Sequence, residues 1–199
     1  ALILEHSRRD ERQALSIAVF GPPGSGKSFG VREISESLPG ARAQVLTFNL
    51  SQLRGRDDLL GAFHQIRDVA LSGRLPVVFW DEFDATLEGN RLGWLPTFLT
   101  PMQDGVFLEG QITHPIGRAV FVFAGGTSRS MEEFAEKAAQ PGFAHAKVAD
   151  FISRLRGFVN VMGPDPVGSR PEADPCHRVR RAILLRGILD RKAPQIIRP

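Results

Sequence analysis

A chain of 199 residues, 42 % of them hydrophobic, can bury one good core with room for a small appendage. No run reaches the length of a membrane span and residues 1–10 carry no signal-peptide pattern. Cys176 is the only cysteine, which excludes a disulfide framework or a cysteine metal cluster and makes a reducing, cytoplasmic setting the default expectation. The net charge of +3 is uneven, because residues 170–199 hold eight Lys/Arg against three Asp/Glu. Such a tail suits nucleic acid or an acidic partner, or is simply a solvated face. The five histidines are scattered without ligand spacing and read as surface or core residues rather than zinc ligands.

In chain order, the apolar run 16–20 predicts a strand buried on both faces. Residues 21–28, GPPGSGKS, follow, and residues 29–38 predict a helix stopped by Pro39 and Gly40. A second strand is expected at 44–49, a helix at 57–72, and a third strand at 75–80 that runs into Asp81 and Glu82. Beyond it come a helix at 92–103, a hairpin-like stretch at 106–115 and a fourth strand at 118–124 ending in Gly125 and Gly126. Helical segments at 131–139 and 146–155 precede a fifth strand at 157–162. Residues 163–175 read as an exposed Pro/Gly linker, and 176–192 as an amphipathic helix with Val179, Ala182, Leu185 and Leu189 on one face. One such helix cannot bury its stripe alone, so the chain reads as ending inside a second subdomain. The alternation of strands and helices argues for an α/β domain with a mainly parallel sheet.

Two motifs carry chemistry. In the first, Gly21, Gly24 and Gly26 let backbone N–H groups turn inward around a polyphosphate, a concavity that a Cβ would crowd. Pro22, Pro23 and Ser25 complete the turn, Lys27 can reach the β- and γ-phosphates, Ser28 can take a Mg²⁺ position, and Phe29 opens the helix. A strand feeding a Gly-rich loop feeding a helix aims the helix dipole at phosphate. In the second, the strand before Asp81 and Glu82 sets two carboxylates at the edge where open α/β sheets bind ligands. Strand alternation sends the two side chains to opposite faces.

These residues match the Walker A and Walker B motifs of P-loop NTPases, and the order of parts over residues 17–192 resembles the AAA+ ATPases. The stretch from Phe98 through the hairpin to Ala124 is similar to that of the Clp-type and related branches. The resemblance implies a three-layer P-loop fold with a central, mainly parallel five-stranded sheet. It implies an ATP-binding α/β domain at 1–162, the linker at 163–175, and the first helix of a lid at 176–199. It further implies ATP and Mg²⁺, the ion held by Ser28 and Asp81, with Glu82 activating the attacking water and Lys27 on the phosphates. Thr127 falls at the sensor-1 position, where the family usually has Asn, or is a turn residue after a strand. Asn49 falls where the family can hold the catalytic Glu away from water, or merely starts a turn. Arg154 falls in the arginine-finger box and would act on a neighbour's ATP in a hexameric ring, or is a surface arginine; Arg156 is the reserve. The loop Gln52-Leu53-Arg54-Gly55-Arg56 lacks the aromatic step of polypeptide-threading relatives, which favours an acidic or nucleic-acid client or marks a plain connection. Residues 3–15 are one place for contacts to the base, although no motif marks them. The leading reading is an ATP hydrolase that remodels a macromolecular client, with no membrane partner. A nucleotide-gated switch with little turnover is the alternative, and a P-loop kinase a distant third.

Overall fold

A computed structural model describes residues 3, 5–6, 13–36, 43–166, 174–193 and 195. Residues 37–38 of the first expected helix, 167–173 of the linker and most of the segment beyond 193 lie outside the described residues.

Five strands form one sheet: β1 (Leu15–Phe20), β2 (Ala43–Asn49), β3 (Leu75–Asp81), β6 (Val120–Ala124) and β7 (Gly157–Asn160). They lie in the order β2-β3-β6-β1-β7, and every neighbouring pair is parallel. Parallel neighbours need crossovers. Helices α1 (Lys27–Glu36), α2 (Arg56–Leu71), α3 (Leu95–Asp104), α4 (Met131–Ala138) and α5 (Val148–Ser153) lie along the connections. The expected hairpin is antiparallel β4 (Val106–Glu109) and β5 (Ile112–Pro115), outside the main sheet. Helix α6 (His177–Lys192) follows the linker.

Period-2 alternation splits the core into two layers of different chemistry. On one face lie Phe20, Trp80, Phe121 and Phe123, packed with α2, α3 and α5 residues such as Phe63, Phe98 and Phe151. On the other lie Leu15, Val19, Val77, Phe79, Val120 and Val122, with Val31 of α1 against them. The smaller aliphatic layer is the one that receives α1, and therefore the phosphate-loop side of the sheet.

The rings of the aromatic layer interlock. Trp80 is fully buried, with ring centroids of Phe98 at 4.9 Å and Phe48 at 5.2 Å. Phe98 also meets Phe123 at 5.1 Å and Phe63 at 6.0 Å. Truncating Phe98 to Ala should leave a cavity no neighbour can fill and cost about 3–5 kcal/mol, with Phe98→Leu costing less. Urea unfolding of the two variants checks both values.

Candidate functional site

The carboxyl ends of β1, β3 and β6 converge where the two motifs were expected. Gly21 sits at φ 152°, and a Cβ there would lie 2.4 Å from the carbonyl oxygen of Val161. Only glycine lets the chain leaving β7 close against the loop. Gly24 and Gly26 adopt φ 74° and 89°, a region that disfavours other residues by about 1–2 kcal/mol. The space where their side chains would stand is open, so bare backbone lines a cradle. The Ser25 hydroxyl is buried there with no hydrogen-bond partner among the described residues. Lys27 heads α1 and folds back, Nζ donating to the carbonyls of Gly21 at 2.7 Å and Pro22 at 3.2 Å. Burial pulls its pKa below the usual lysine range, opposed by the charges of Asp81 and Asp84.

The end of β3 departs from the expected alternation. Asp81 follows Val77 and Phe79 onto the α1 face of the sheet. Glu82 was expected on the opposite face, but its backbone turns into the left-handed region at φ 52°. Alternation stops there, and Asp81 and Glu82 line the same cleft. A non-glycine residue in that conformation persists only where its surroundings over-determine it. Phe83 supplies that constraint, fully buried and stacked on Phe151 at 5.6 Å with Phe134 at 5.4 Å. Burial, then repulsion from Glu82, raises the Asp81 pKa above the ordinary carboxylate range; a backbone bond and Lys27 oppose this.

The cleft has a volume of about 370 Å³ and draws its lining from the loop, from Asp81 and Glu82, and from Gly125 and Gly126. Lys27, Ser28 and Phe29 are all on its wall. Oxygen donors from Ser28 and Asp81 suit a hard cation such as Mg²⁺. The structure therefore brings Pro23 to Ser28 of the loop together with Asp81 and Glu82.

Thr127, Asn49 and Arg154 sit differently. The Thr127 hydroxyl and N–H both donate to Asp84, as does the N–H of Gly126. Thr127 thus lines a neighbouring cavity with Asp84 and Phe134 rather than the cleft. Asp84, largely buried, is the residue the sequence reading missed; its one available signal was a third acidic residue in the run Asp81-Glu82-Phe83-Asp84. Asn49 pairs in register with Asp81, but its side-chain oxygen accepts from the Ser51 N–H at 2.9 Å and hydroxyl at 2.8 Å. That is the turn geometry named as its alternative. Arg154 caps α5 and donates to the Asp150 carbonyl and to Gln103. Arg156 is exposed, its N–H bonded to the Ser16 carbonyl.

Helix α6 lies against the loop side of the domain with much of its apolar surface uncovered. On the stripe that one helix was expected to be unable to bury alone, Val179 and Leu185 are more than half exposed. The opposite side, with Arg180, Ile183, Leu184, Gly187 and Ile188, faces an apolar cavity of about 440 Å³. Its far wall includes Ser25, Gly26 and Phe29, so it adjoins the phosphate cleft. Arg180 clamps the helix to the linker, donating to the Gly163 carbonyl at 2.9 Å and forking onto the Asp174 carboxylate. Ile3, by contrast, packs on the aliphatic core layer, and His6 bonds the Ala119 carbonyl.

A family model, "ATPase family associated with various cellular activities (AAA)", matches residues 17–137, from β1 into α4. The chain belongs to the AAA family of ATPases. Among solved structures, this AAA domain is similar to the ORC2 protein of Aeropyrum pernix. Its ADP form aligns at TM-score 0.52 and 13 % identity, covering 75 % of this chain and 43 % of that one. Its ADPNP–ADP complexes align at TM-score 0.49 and 14 % identity, covering 76 % and 42 %. At that identity the first likeness supports the fold alone, and the AAA chain spans less than half the length of these neighbours. Comparison with curated protein sequences returns no match. The family and the fold make this an ATP-binding AAA+ domain. No described helix is long and apolar enough to cross a membrane.

The raised Asp81 pKa has a sign that can be tested. An ionised Asp81 costs the fold stability once pH rises through its raised folded-state pKa, and costs nothing where both states are protonated. Asp81→Asn should therefore raise Tm at neutral pH without nucleotide, and the gap from the parent should close as the solution is acidified. The same variant should lose the Mg²⁺-dependent part of nucleotide binding, read by titration with and without the ion.

Proposed function

We propose that this chain is the catalytic domain of a Mg²⁺-dependent AAA+ ATPase that remodels a macromolecular client from within a ring. The observation that carries the reading is the single cleft shared by Lys27, Ser28, Asp81 and Glu82. The bare backbone at Gly24 and Gly26 and the orphan Ser25 hydroxyl suit phosphate oxygens. Lys27 leaves its own loop carbonyls for the β- and γ-phosphates. Ser28 and Asp81 hold Mg²⁺, which when bound offsets negative charge on those phosphates. Glu82 polarises the attacking water and takes up its proton at the carboxylate. The purine sits in the apolar cavity under α6, whose volume falls within the usual range for small-molecule sites. Residues 1–162 then form the nucleotide-binding domain, 163–175 the linker and 176–199 the start of the lid.

Arg154 is proposed to act across a subunit boundary, released from Gln103 and Asp150 when a neighbour docks. Thr127 is proposed as the sensor, coupled to the β3 turn through Asp84. Exposed Arg54 and Arg56, flanking the start of α2, favour an acidic client, protein or nucleic acid. One observation favours the alternative of a nucleotide-gated switch: the Thr127 hydroxyl is engaged by Asp84 rather than standing in the cleft.

ATPase rate against protein concentration separates the two. Specific activity that rises with concentration and is lost in Arg154→Ala supports the ring enzyme. Glu82→Gln should retain nucleotide binding while turnover falls by about 100-fold or more, as expected for loss of a general base. Tight binding with no turnover at any concentration would demote Glu82 and Arg154 and leave the switch.

A further inference from the structure

The fold gathers two of the scattered histidines. His64 lies on α2, whereas Glu109 and His114 lie on the hairpin, on strands β4 and β5. In the hairpin register Phe107 opposes His114, and Glu109 is two residues on from Phe107. Directly opposed residues and those two apart share a face, so Phe107, Glu109 and His114 all lie on one side of the hairpin. His64 Nε2 is 3.0 Å from Glu109 Oε2, and His114 Nε2 is 3.2 Å from the same oxygen. One nitrogen or oxygen from each residue lies within 4.8 Å of the other two.

We propose that His64, Glu109 and His114 form a binding site for a zinc-class divalent transition metal that clips the hairpin to α2. Two imidazole nitrogens and a carboxylate oxygen, with water in the fourth position, are a donor set that zinc accepts. Bond lengths near 2.0–2.2 Å place tetrahedral ligand atoms roughly 3.3 Å apart. Two of the three separations are already at that value, and the third needs a closure of roughly 1.5 Å at most on the same geometry. The set is wrong for Mg²⁺, which prefers oxygen ligands, so donor chemistry keeps the two proposed ions apart.

His64 Nε2 and Glu109 Oε2 already make a hydrogen bond, and two further observations point beyond such a staple to an ion. His114 Nε2 is buried and makes no hydrogen bond among the described residues, although Glu109 Oε2 is only 3.2 Å away. The two atoms are close but not aligned on each other, as two ligands of a third atom are. The wall behind them is apolar: Phe107 stacks on His114 at 5.1 Å and meets His64 edge-on at 4.9 Å. The hairpin also has a structural use for the ion. It lies outside the main sheet, and a two-stranded unit alone is marginal in water.

Arg67 limits the affinity. Its Nη1 faces His114 Nδ1 at 3.5 Å, where a metal-bound imidazole needs an acceptor for its second N–H. Replacing Arg67 by Gln, whose carbonyl can accept that N–H, should tighten binding; a purely structural cluster would show no such gain.

The test is Co²⁺ titration of the whole nucleotide-free chain in a Cys176→Ser background, followed by visible absorption, with Zn²⁺ displacing the signal. The expected result is one equivalent per chain and a raised Tm with metal. Affinity should fall at least about tenfold in His64→Ala and in Glu109→Gln, and rise in Arg67→Gln. Circular dichroism without metal verifies that each variant is folded, and exposed Glu109 is the mildest of them. No uptake, uptake that survives both His64→Ala and Glu109→Gln, or uptake lost in Asp81→Asn but kept in His64→Ala would each overturn the site.

Discussion

The arrangement of the cleft depends on one turn at the end of β3. A regular strand would present Asp81 and Glu82 to opposite sides of the sheet, and only one of them could face the phosphate loop. The left-handed backbone at Glu82 breaks that rule, and both residues line one cleft. The conformation is unfavourable for a non-glycine residue by about 1–2 kcal/mol. It is held from both directions. Phe83 is locked into the aromatic layer, and Asp84 ties the turn to the N–H groups of Gly126 and Thr127 after β6. Strain at the chemical residue is thus maintained by packing behind it.

The two core layers divide the labour. Large rings fill the face that receives α2, α3 and α5, where edge-to-face and stacked pairs fix Trp80, Phe83, Phe98 and Phe123 relative to one another. The thinner aliphatic face receives α1 and leaves the loop at its head open to solvent. A rigid back and an open front suit a site that must admit a charged ligand and still hold its polar groups in place. Asp81 reflects the same compromise. Its burial and its proximity to Glu82 raise its pKa, and a cation beside it would favour the charged carboxylate.

Beyond the cleft, α6 lines the cavity that adjoins the phosphate loop. α6 presents apolar residues outward as well as toward the cavity beside Phe29, and its attachment rests on Arg180 and Asp174. The hairpin is attached through Phe107 and through the His64, Glu109 and His114 cluster. Loop 52–56 immediately precedes the helix to which that hairpin is fastened. Stiffening the hairpin therefore bears on the surface proposed to meet a client.

Local order alone settled much of this domain. The five main strands, the loop at 21–28 and the acidic end of β3 depend on short-range periodicity and on glycine's access to positive φ, so they were legible residue by residue. The parallel sheet follows from strands that alternate with helices, and the hairpin was legible as the stretch 106–115. Other features are set by distant packing. Glu82 turns because Phe83 finds Phe151, 68 positions later in the chain. Thr127 turns from the cleft because Asp84, 43 residues before it, captures its hydroxyl. α6 carries apolar residues around much of its circumference, and only its docking beside the phosphate loop decides which of them line the cavity. The histidine cluster joins a helix to a hairpin across 45 residues and leaves no spacing to read. Periodicity and backbone preference are properties of the local chain, whereas burial and side-chain partnership exist only once the layers have closed.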